Sequence, residues 1–174
     1  MYGKKISKYS RRDLFRGLAR HVRGHDKEDA ASGLSPEVFE ADALLRKDKY
    51  AEAARLYNAC LEREPDHAEA WQRLGYCRIK LGRTREARKA LEQVNRLKPG
   101  NDFAALYTGL AHAMEGNAEK AIDSWKSYFD IKQPLIQREI NLILALHERG
   151  DKLDPASLVK SVQEAVEAQK QSRR

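Results

Sequence analysis

Residues 68–101 read AEAWQRLGYCRIKLGRTREARKALEQVNRLKPGN, and the fold is decided by this stretch. The stretch predicts two helices, at 68–81 and 84–97. Gly82 lies between them, where a residue free to adopt the left-handed conformation ends a helix, and Pro99 stops the second helix. The unit is therefore a helix–turn–helix hairpin.

Small and helix-breaking residues return at intervals of 34. The sets are Gly75 with Gly109; Gly82 with Gly116 and Gly150; Ala53 with Ala87 and Ala121; and Pro65 with Pro99. Pro134 arrives one residue late in this register. One such hairpin cannot bury its apolar face alone, so hairpins of this kind stack into a solenoid.

Five positions of the quoted stretch make it resemble a tetratricopeptide repeat: Trp71, Leu74, Gly75, Ala87 and Pro99. Arg78 departs from the pattern, because a large apolar residue is usual at its position. The resemblance implies an all-α solenoid of about three helix–turn–helix repeats, followed by a partial fourth repeat and a C-terminal capping helix.

The predicted domains are a basic N-terminal arm, 1–33, and a repeat domain, 34–174. The repeats fall at about 34–67, 68–101 and 102–135, and a terminal helix pair occupies 136–174. Outside the quoted stretch, helices are expected at 36–47, 50–63, 102–115, 118–131 and 135–149. A last helix begins at Pro155 and is capped by Asp154.

Residues 1–25 of the arm carry the excess positive charge. They have one acid, Asp13, and eight basic residues: Lys4, Lys5, Lys8, Arg11, Arg12, Arg16, Arg20 and Arg23. Taking these from the totals of 33 basic and 26 acidic residues leaves 25 of each, so the rest of the chain is neutral overall. The apolar spacing in the arm predicts a short amphipathic helix from Ser10 to about Arg23, followed by a polar linker.

No catalytic constellation, glycine-rich phosphate loop or cofactor motif is evident, and we expect a non-enzymatic protein without a cofactor or a metal. Cys60 and Cys77 are interpreted as core thiols. His21 and His25 are spaced as two metal ligands on a helix could be, but no third ligand accompanies them. The chain has no run of 18 apolar residues, so no transmembrane helix is expected.

The family resemblance implies a groove lined by the first helices of the repeats, in which a peptide or an amphipathic helix of another protein binds. The residues at the matching positions are Val38, Asp42, Leu45, Tyr76, Ile79, Phe103, Leu106, Leu110, Met114, Ile140 and Leu144. An alternative for some of them is that they pack under the C-terminal helix. The apolar character of this set disfavours the family's carboxylate clamp for chaperone tails.

Two functions are therefore open. One is an interaction scaffold or adaptor, and the other is a peripheral membrane adaptor whose basic arm docks on anionic lipid. Self-association through the arm is also considered, whereas few aromatics accompany its charges and nucleic acid is not expected. Ser10–Arg16 resembles a bacterial twin-arginine export motif. No apolar stretch follows it, so the expected location is the cytoplasm, with contact at the inner membrane.

Overall fold

The computed structural model describes residues 36–172, and within that range every regular element is an α-helix. The helices are α1 (Pro36–Arg46), α2 (Tyr50–Arg63), α3 (Ala68–Lys80), α4 (Thr84–Leu97), α5 (Asp102–Met114), α6 (Ala118–Trp125), α7 (Pro134–Glu148) and α8 (Pro155–Gln171). The predicted all-α fold is confirmed. None of these helices has both the length and the apolar composition needed to cross a membrane.

Each helix packs against the next along the chain, as hairpins stacked in a solenoid do. Two pairs of helices that are not neighbours in sequence also pack together: α3 with α5, and α5 with α8. The first of these is the contact between the leading helices of successive repeats. The second brings the last helix back onto the third repeat.

The turn between the two helices of each hairpin has the same backbone geometry four times. Gly82, Gly116 and Gly150 adopt positive φ angles of 71°, 80° and 91°, as predicted for residues that end these helices. The first hairpin places Asp48 at the same point, with φ 57°. No glycine marks that turn, so the repeat register does not predict the left-handed residue there.

The buried apolar side chains form two clusters. One is made by α1, α2 and α3 and includes Tyr57 and Leu74. The other extends from α3 to α8 and includes Trp125 and Ile140. Trp71 packs against both clusters, so the helix that begins the quoted stretch joins the two halves of the core.

Glycine inside a helix permits a close approach between the two helices of a hairpin. A methyl group at Gly75 would lie 2.9 Å from the side chain of Leu91, and one at Gly109 would meet Trp125. Gly75 and Gly109 therefore lie where the two helices of a hairpin touch.

Arg78, the residue that departs from the family pattern, lies on α3 and forms hydrogen bonds to α2 and α4. Its guanidinium donates to the carbonyl of Glu86 at 3.1 Å and to the side-chain oxygen of Asn58 at 3.3 Å. These partners lie on α4 and α2. A polar residue is accommodated at this position because neighbouring helices supply acceptors for it.

Helix α6 ends at Trp125, so the predicted helix 118–131 is wrong over its last six residues. Tertiary hydrogen bonds take the backbone donors that would have continued it. The amide of Phe129 donates to Asp102 at 3.0 Å, and the amide of Asp130 donates to Gln137 at 2.8 Å. The segment after α6 is therefore a turn followed by irregular backbone, in which Phe129 is exposed.

Helix α8 packs against α5, and two hydrogen bonds join its C-terminal end to α7 and α3. The amide of Leu135, in the first turn of α7, donates to the buried side chain of Gln169 at 3.0 Å. The ammonium of Lys170 donates to the hydroxyl of Tyr76 at 3.2 Å. Asp154 caps α8 as predicted, accepting from the amide of Ser157 at 2.9 Å. The position of α8 decides which part of the repeat surface stays open.

Candidate functional site: an aromatic groove

An open cavity of about 640 Å³ is bounded by α1, the start of α2, α3, α5 and the end of α8. We call it the aromatic groove. Its lining is Leu45, Arg46, Asp48, Tyr50, Arg73, Tyr76, Lys80, Phe103, Tyr107, Glu167 and Lys170. A smaller cavity of about 240 Å³ lies beside it, between α8 and the faces of α3 and α5.

A continuous row of rings forms the floor of the aromatic groove. The ring of Tyr76 meets Tyr50 edge to face at a centroid distance of 6.1 Å, and it meets Tyr107 in the same way at 5.3 Å. Phe103 continues the row, with its ring 4.4 Å from that of Tyr107. Packed rings of this kind offer apolar area that loses little conformational entropy when a ligand binds.

The phenols of Tyr50 and Tyr107 stay protonated. Burial raises the pKa of Tyr107 well above its ordinary value of 10.0, with the neighbouring tyrosines adding to the effect. The pKa of Tyr50 is raised in the same way by burial and by its hydrogen bond to Asp48. These two side chains therefore present neutral rings and hydroxyls throughout the physiological range of pH.

Basic side chains stand above the rings. The ammonium of Lys80 lies 5.6 Å from the centre of the Tyr50 ring, and that of Lys170 lies 5.7 Å from the centre of Tyr76. Both distances are within the range in which a cation is attracted to a ring face. Although burial opposes it, hydrogen bonding to Tyr76 raises the pKa of Lys170 above its ordinary value. The groove thus combines apolar faces with positive charge.

Three of the predicted groove residues line the aromatic groove: Leu45, Tyr76 and Phe103. Asp42 lies beside it and is engaged within the chain. Its carboxylate accepts from the hydroxyl of Tyr57 at 2.5 Å and forms an ion pair with Arg73, which itself lines the groove. Asp42 therefore positions Arg73 and leaves little of its own charge for a ligand.

The structure corrects five other predicted groove residues, which are core residues: Val38, Ile79, Leu106, Leu110 and Ile140 are between 0% and 3% exposed. Leu144 is partly buried against the same cluster, and Met114 lines a separate cavity near the start of α8. Val38 is buried in the cluster of the first two hairpins, away from α8. The other four lie in the cluster that α8 completes, so for them the structure favours the alternative of packing under the C-terminal helix.

Several groove residues were missed by sequence reasoning. Tyr107 and Arg73 are 34 residues apart, so they occupy the same position of successive repeats, and a search of that row would have found them. Tyr50 was interpreted as a packing residue. No local signal marks Lys170, because its place in the groove depends on how α8 returns to α3. The eight basic arm residues lie outside the described residues.

One group in the described range brings together side chains that can hold a metal. Ligand atoms of Cys60, Glu64 and His67 lie within 4.8 Å of one another. The Nδ1 atom of His67, however, accepts from the amide of Ala70 at 3.2 Å and caps α3. Coordination through Nε2 would place a proton on Nδ1 and break that cap, so we assign these residues to the α2–α3 turn.

The second buried thiol has no reactive character. Burial raises the pKa of Cys77 to about 11, which keeps the thiol protonated and a poor nucleophile near neutral pH. Its side chain lies in the cluster made by α1, α2 and α3. Cys77 is a core residue, as predicted.

Comparison with known proteins gives a family for this geometry. A sequence model described as tetratricopeptide repeat matches residues 44–112, from the end of α1 into α5. Residues 44–112 are tetratricopeptide repeats. The match runs from the end of the first helix of repeat one, through all of repeat two, into the leading helix of repeat three. These elements supply the lining of the aromatic groove except for Glu167 and Lys170 of α8.

Curated relatives of this chain include the peroxisomal targeting signal receptor of Yarrowia lipolytica, 31% identical over 101 residues. The aligned region is 57% of this chain and 17% of the receptor. A tetratricopeptide repeat and J domain-containing co-chaperone of Cryptococcus neoformans is 27% identical over 139 residues, 80% of this chain and 26% of the co-chaperone. The chain thus spans about a quarter or less of the relatives that it matches.

Two solved structures share the fold. A MamA double mutant superposes with a TM-score of 0.58 at 22% identity, covering 90% of this chain and 94% of that one. Another structure of MamA gives the same TM-score at 18% identity and covers 97% of this chain and 100% of that one. At these identities the likeness concerns the arrangement of the helices.

Proposed function

We propose that this protein is a non-enzymatic interaction scaffold that binds a peptide or a helix of another protein in the aromatic groove. The observation that carries the proposal is the row of four rings, Tyr50, Tyr76, Phe103 and Tyr107, along an open cavity of about 640 Å³. Aromatic side chains on rigid helices are typical of the few residues that contribute most of the binding free energy at an interface. Relatives named as receptors for a targeting signal support a role in recognition.

The site differs from the one expected from the sequence. The ligand would occupy the front of the groove, between α1 and α5, because α8 fills the rear. The ligand would therefore contact rings and basic side chains rather than the apolar row of Leu106 and Leu110. A short segment suffices to cover such a cavity.

The test begins with peptides selected from a displayed random library by the intact chain. Their affinity is then measured by fluorescence anisotropy for the wild type, Tyr76→Ala and Phe129→Ala. Tyr76 stands in the middle of the ring row, so its loss is expected to weaken binding about tenfold or more. Phe129 is 68% exposed and lies outside the groove, so its substitution should leave affinity unchanged. If a folded Tyr76→Ala variant binds with unchanged affinity, the aromatic groove is not the peptide-binding site.

A second function, peripheral membrane contact, rests on the basic arm. Each Lys or Arg near an anionic bilayer contributes about 1 kcal/mol, and residues 1–25 of the arm have eight of them. Co-sedimentation with phosphatidylserine vesicles should be strong for the intact chain and lost without residues 1–33. Equal binding by both proteins, or equal binding to neutral vesicles, would reject this role. Such contact would place the protein at the cytoplasmic face of the inner membrane.

A further inference from the structure

We propose that the segment recognised by the aromatic groove is acidic, with carboxylates flanking an apolar or aromatic side chain. This inference rests on the proposed function, because it names the ligand class of the same site. The starting point is the charge of the lining. Four basic residues face the groove, namely Arg46, Arg73, Lys80 and Lys170, against two acids, Asp48 and Glu167.

The excess positive charge can be assigned to particular residues. Arg73 is paired with Asp42, and Lys170 lies 3.5 Å from Glu167. Within residues 36–172, no carboxylate lies within ion-pair distance of Arg46 or Lys80. These two exposed cations are thus available to a ligand.

The position of Lys80 relates charge recognition to the ring row. Its ammonium lies over Tyr50, which itself packs edge to face against Tyr76. A carboxylate that pairs with Lys80 therefore brings the neighbouring residues of its own chain over the rings. Excluding water from this pair strengthens the attraction between the cation and the ring face. The ligand that satisfies both features has an acid beside an apolar side chain.

The same charges argue against the chain's own arm as the occupant. Residues 1–25 of the arm have eight basic residues and one acid, so they would bring like charge against Arg46 and Lys80. This applies to the arm of the same chain and to the arm of a second copy. Self-association by insertion of the arm into this groove is therefore disfavoured.

The experiment uses the full chain and two labelled peptide pools of equal length with the same randomised apolar positions. The remaining positions are Asp and Glu in one pool and Lys and Arg in the other. The acidic pool should bind about tenfold more tightly, and its affinity should fall with added salt. Lys80→Glu should reduce acidic-pool binding about tenfold, and Lys80→Gln should reduce it less.

Because the basic arm offers acidic peptides a second place to bind, a matched charge reversal is needed. Lys89→Glu changes the net charge equally on the exposed surface of α4, outside the groove, and should leave affinity unchanged. Equal losses in Lys80→Glu and Lys89→Glu would overturn the inference, as would equal binding of both pools. Both of those results leave the proposed function intact. If neither pool binds the wild type, the proposed function fails together with the inference.

Discussion

The backbone of Gly109 lies in direct contact with the indole of Trp125: a methyl group at position 109 would lie 2.2 Å from Nε1 of that ring. The same Nε1 donates a hydrogen bond to the carbonyl of Leu106 at 3.0 Å. Glycine inside a helix costs about 1 kcal/mol relative to alanine, and the buried indole is what the glycine accommodates. In the preceding repeat the flexible side chain of Leu91 covers Gly75.

This contact predicts different costs for the same substitution in two repeats. Gly109→Ala should lower the free energy of unfolding by about 1–3 kcal/mol, because a rigid ring cannot give way. Gly75→Ala should change it by less than about 1 kcal/mol, since Leu91 can move and alanine favours the helix. Urea unfolding followed by circular dichroism measures both values. In a Trp125→Leu background, the Gly109→Ala substitution should cost less, and an undiminished cost would contradict the contact.

Asp48 provides a test of backbone conformation. Its φ of 57° is unfavourable for a residue with a β-carbon, by roughly 1–2 kcal/mol. Asp48→Gly and Asp48→Ala both lose the hydrogen bond from the hydroxyl of Tyr50. The glycine variant should nevertheless be more stable than the alanine variant by about that amount. Equal melting temperatures would show that the turn relaxes to another conformation.

A charge at the rear of the groove should unfold the protein. Leu110 is 2% exposed and packs in the cluster that includes α8, so Leu110→Glu should cost about 3 kcal/mol or more. Leu142→Glu is the matched control, because Leu142 is 51% exposed and the same change there should cost within about 0.5 kcal/mol. Thermal melts separate the two. A stable Leu110→Glu variant would mean that α8 leaves α5 readily.

His112 should make stability depend on pH in the mildly acidic range. Burial lowers its pKa below the ordinary value of 6.5, and Arg88 adds to this, whereas Glu115 opposes it. The unfolded chain therefore binds the proton more readily, so stability falls as the pH drops through 6.5. His112→Gln should lose less stability between pH 7.5 and 5.5 than the wild type. An identical pH dependence would contradict the lowered pKa.

The fold was predictable because the 34-residue register fixes hairpin after hairpin from local signals. Predicted bounds such as 50–63 and 84–97 coincide with α2 and α4. The end of α6 was not predictable, since it depends on side chains of Asp102 and Gln137 that reach the backbone from other elements. Local helix signals continue through that segment, and tertiary hydrogen bonds override them.

The candidate site was predictable only in part. Repeat register predicts Leu45, Tyr76 and Phe103 as groove residues, and these three line the cavity. It cannot reveal that α8 returns to cover Leu106 and Leu110, because that arrangement depends on packing across distant parts of the chain. The remaining open surface is consequently more aromatic and more basic than the sequence pattern indicated.

The bond between Lys170 and Tyr76 joins residues 94 positions apart. In a solenoid whose units contact only their neighbours, each interface adds its own increment of stability, and either end can unravel by itself. Here the last helix cannot detach without uncovering α5 and releasing α3. Its loss would therefore affect a helix two hairpins away, and opening of the terminal helix should be coupled to opening of the centre. Hydrogen exchange should accordingly show α3, α5 and α8 as one cooperative unit rather than as a series of independently fraying repeats.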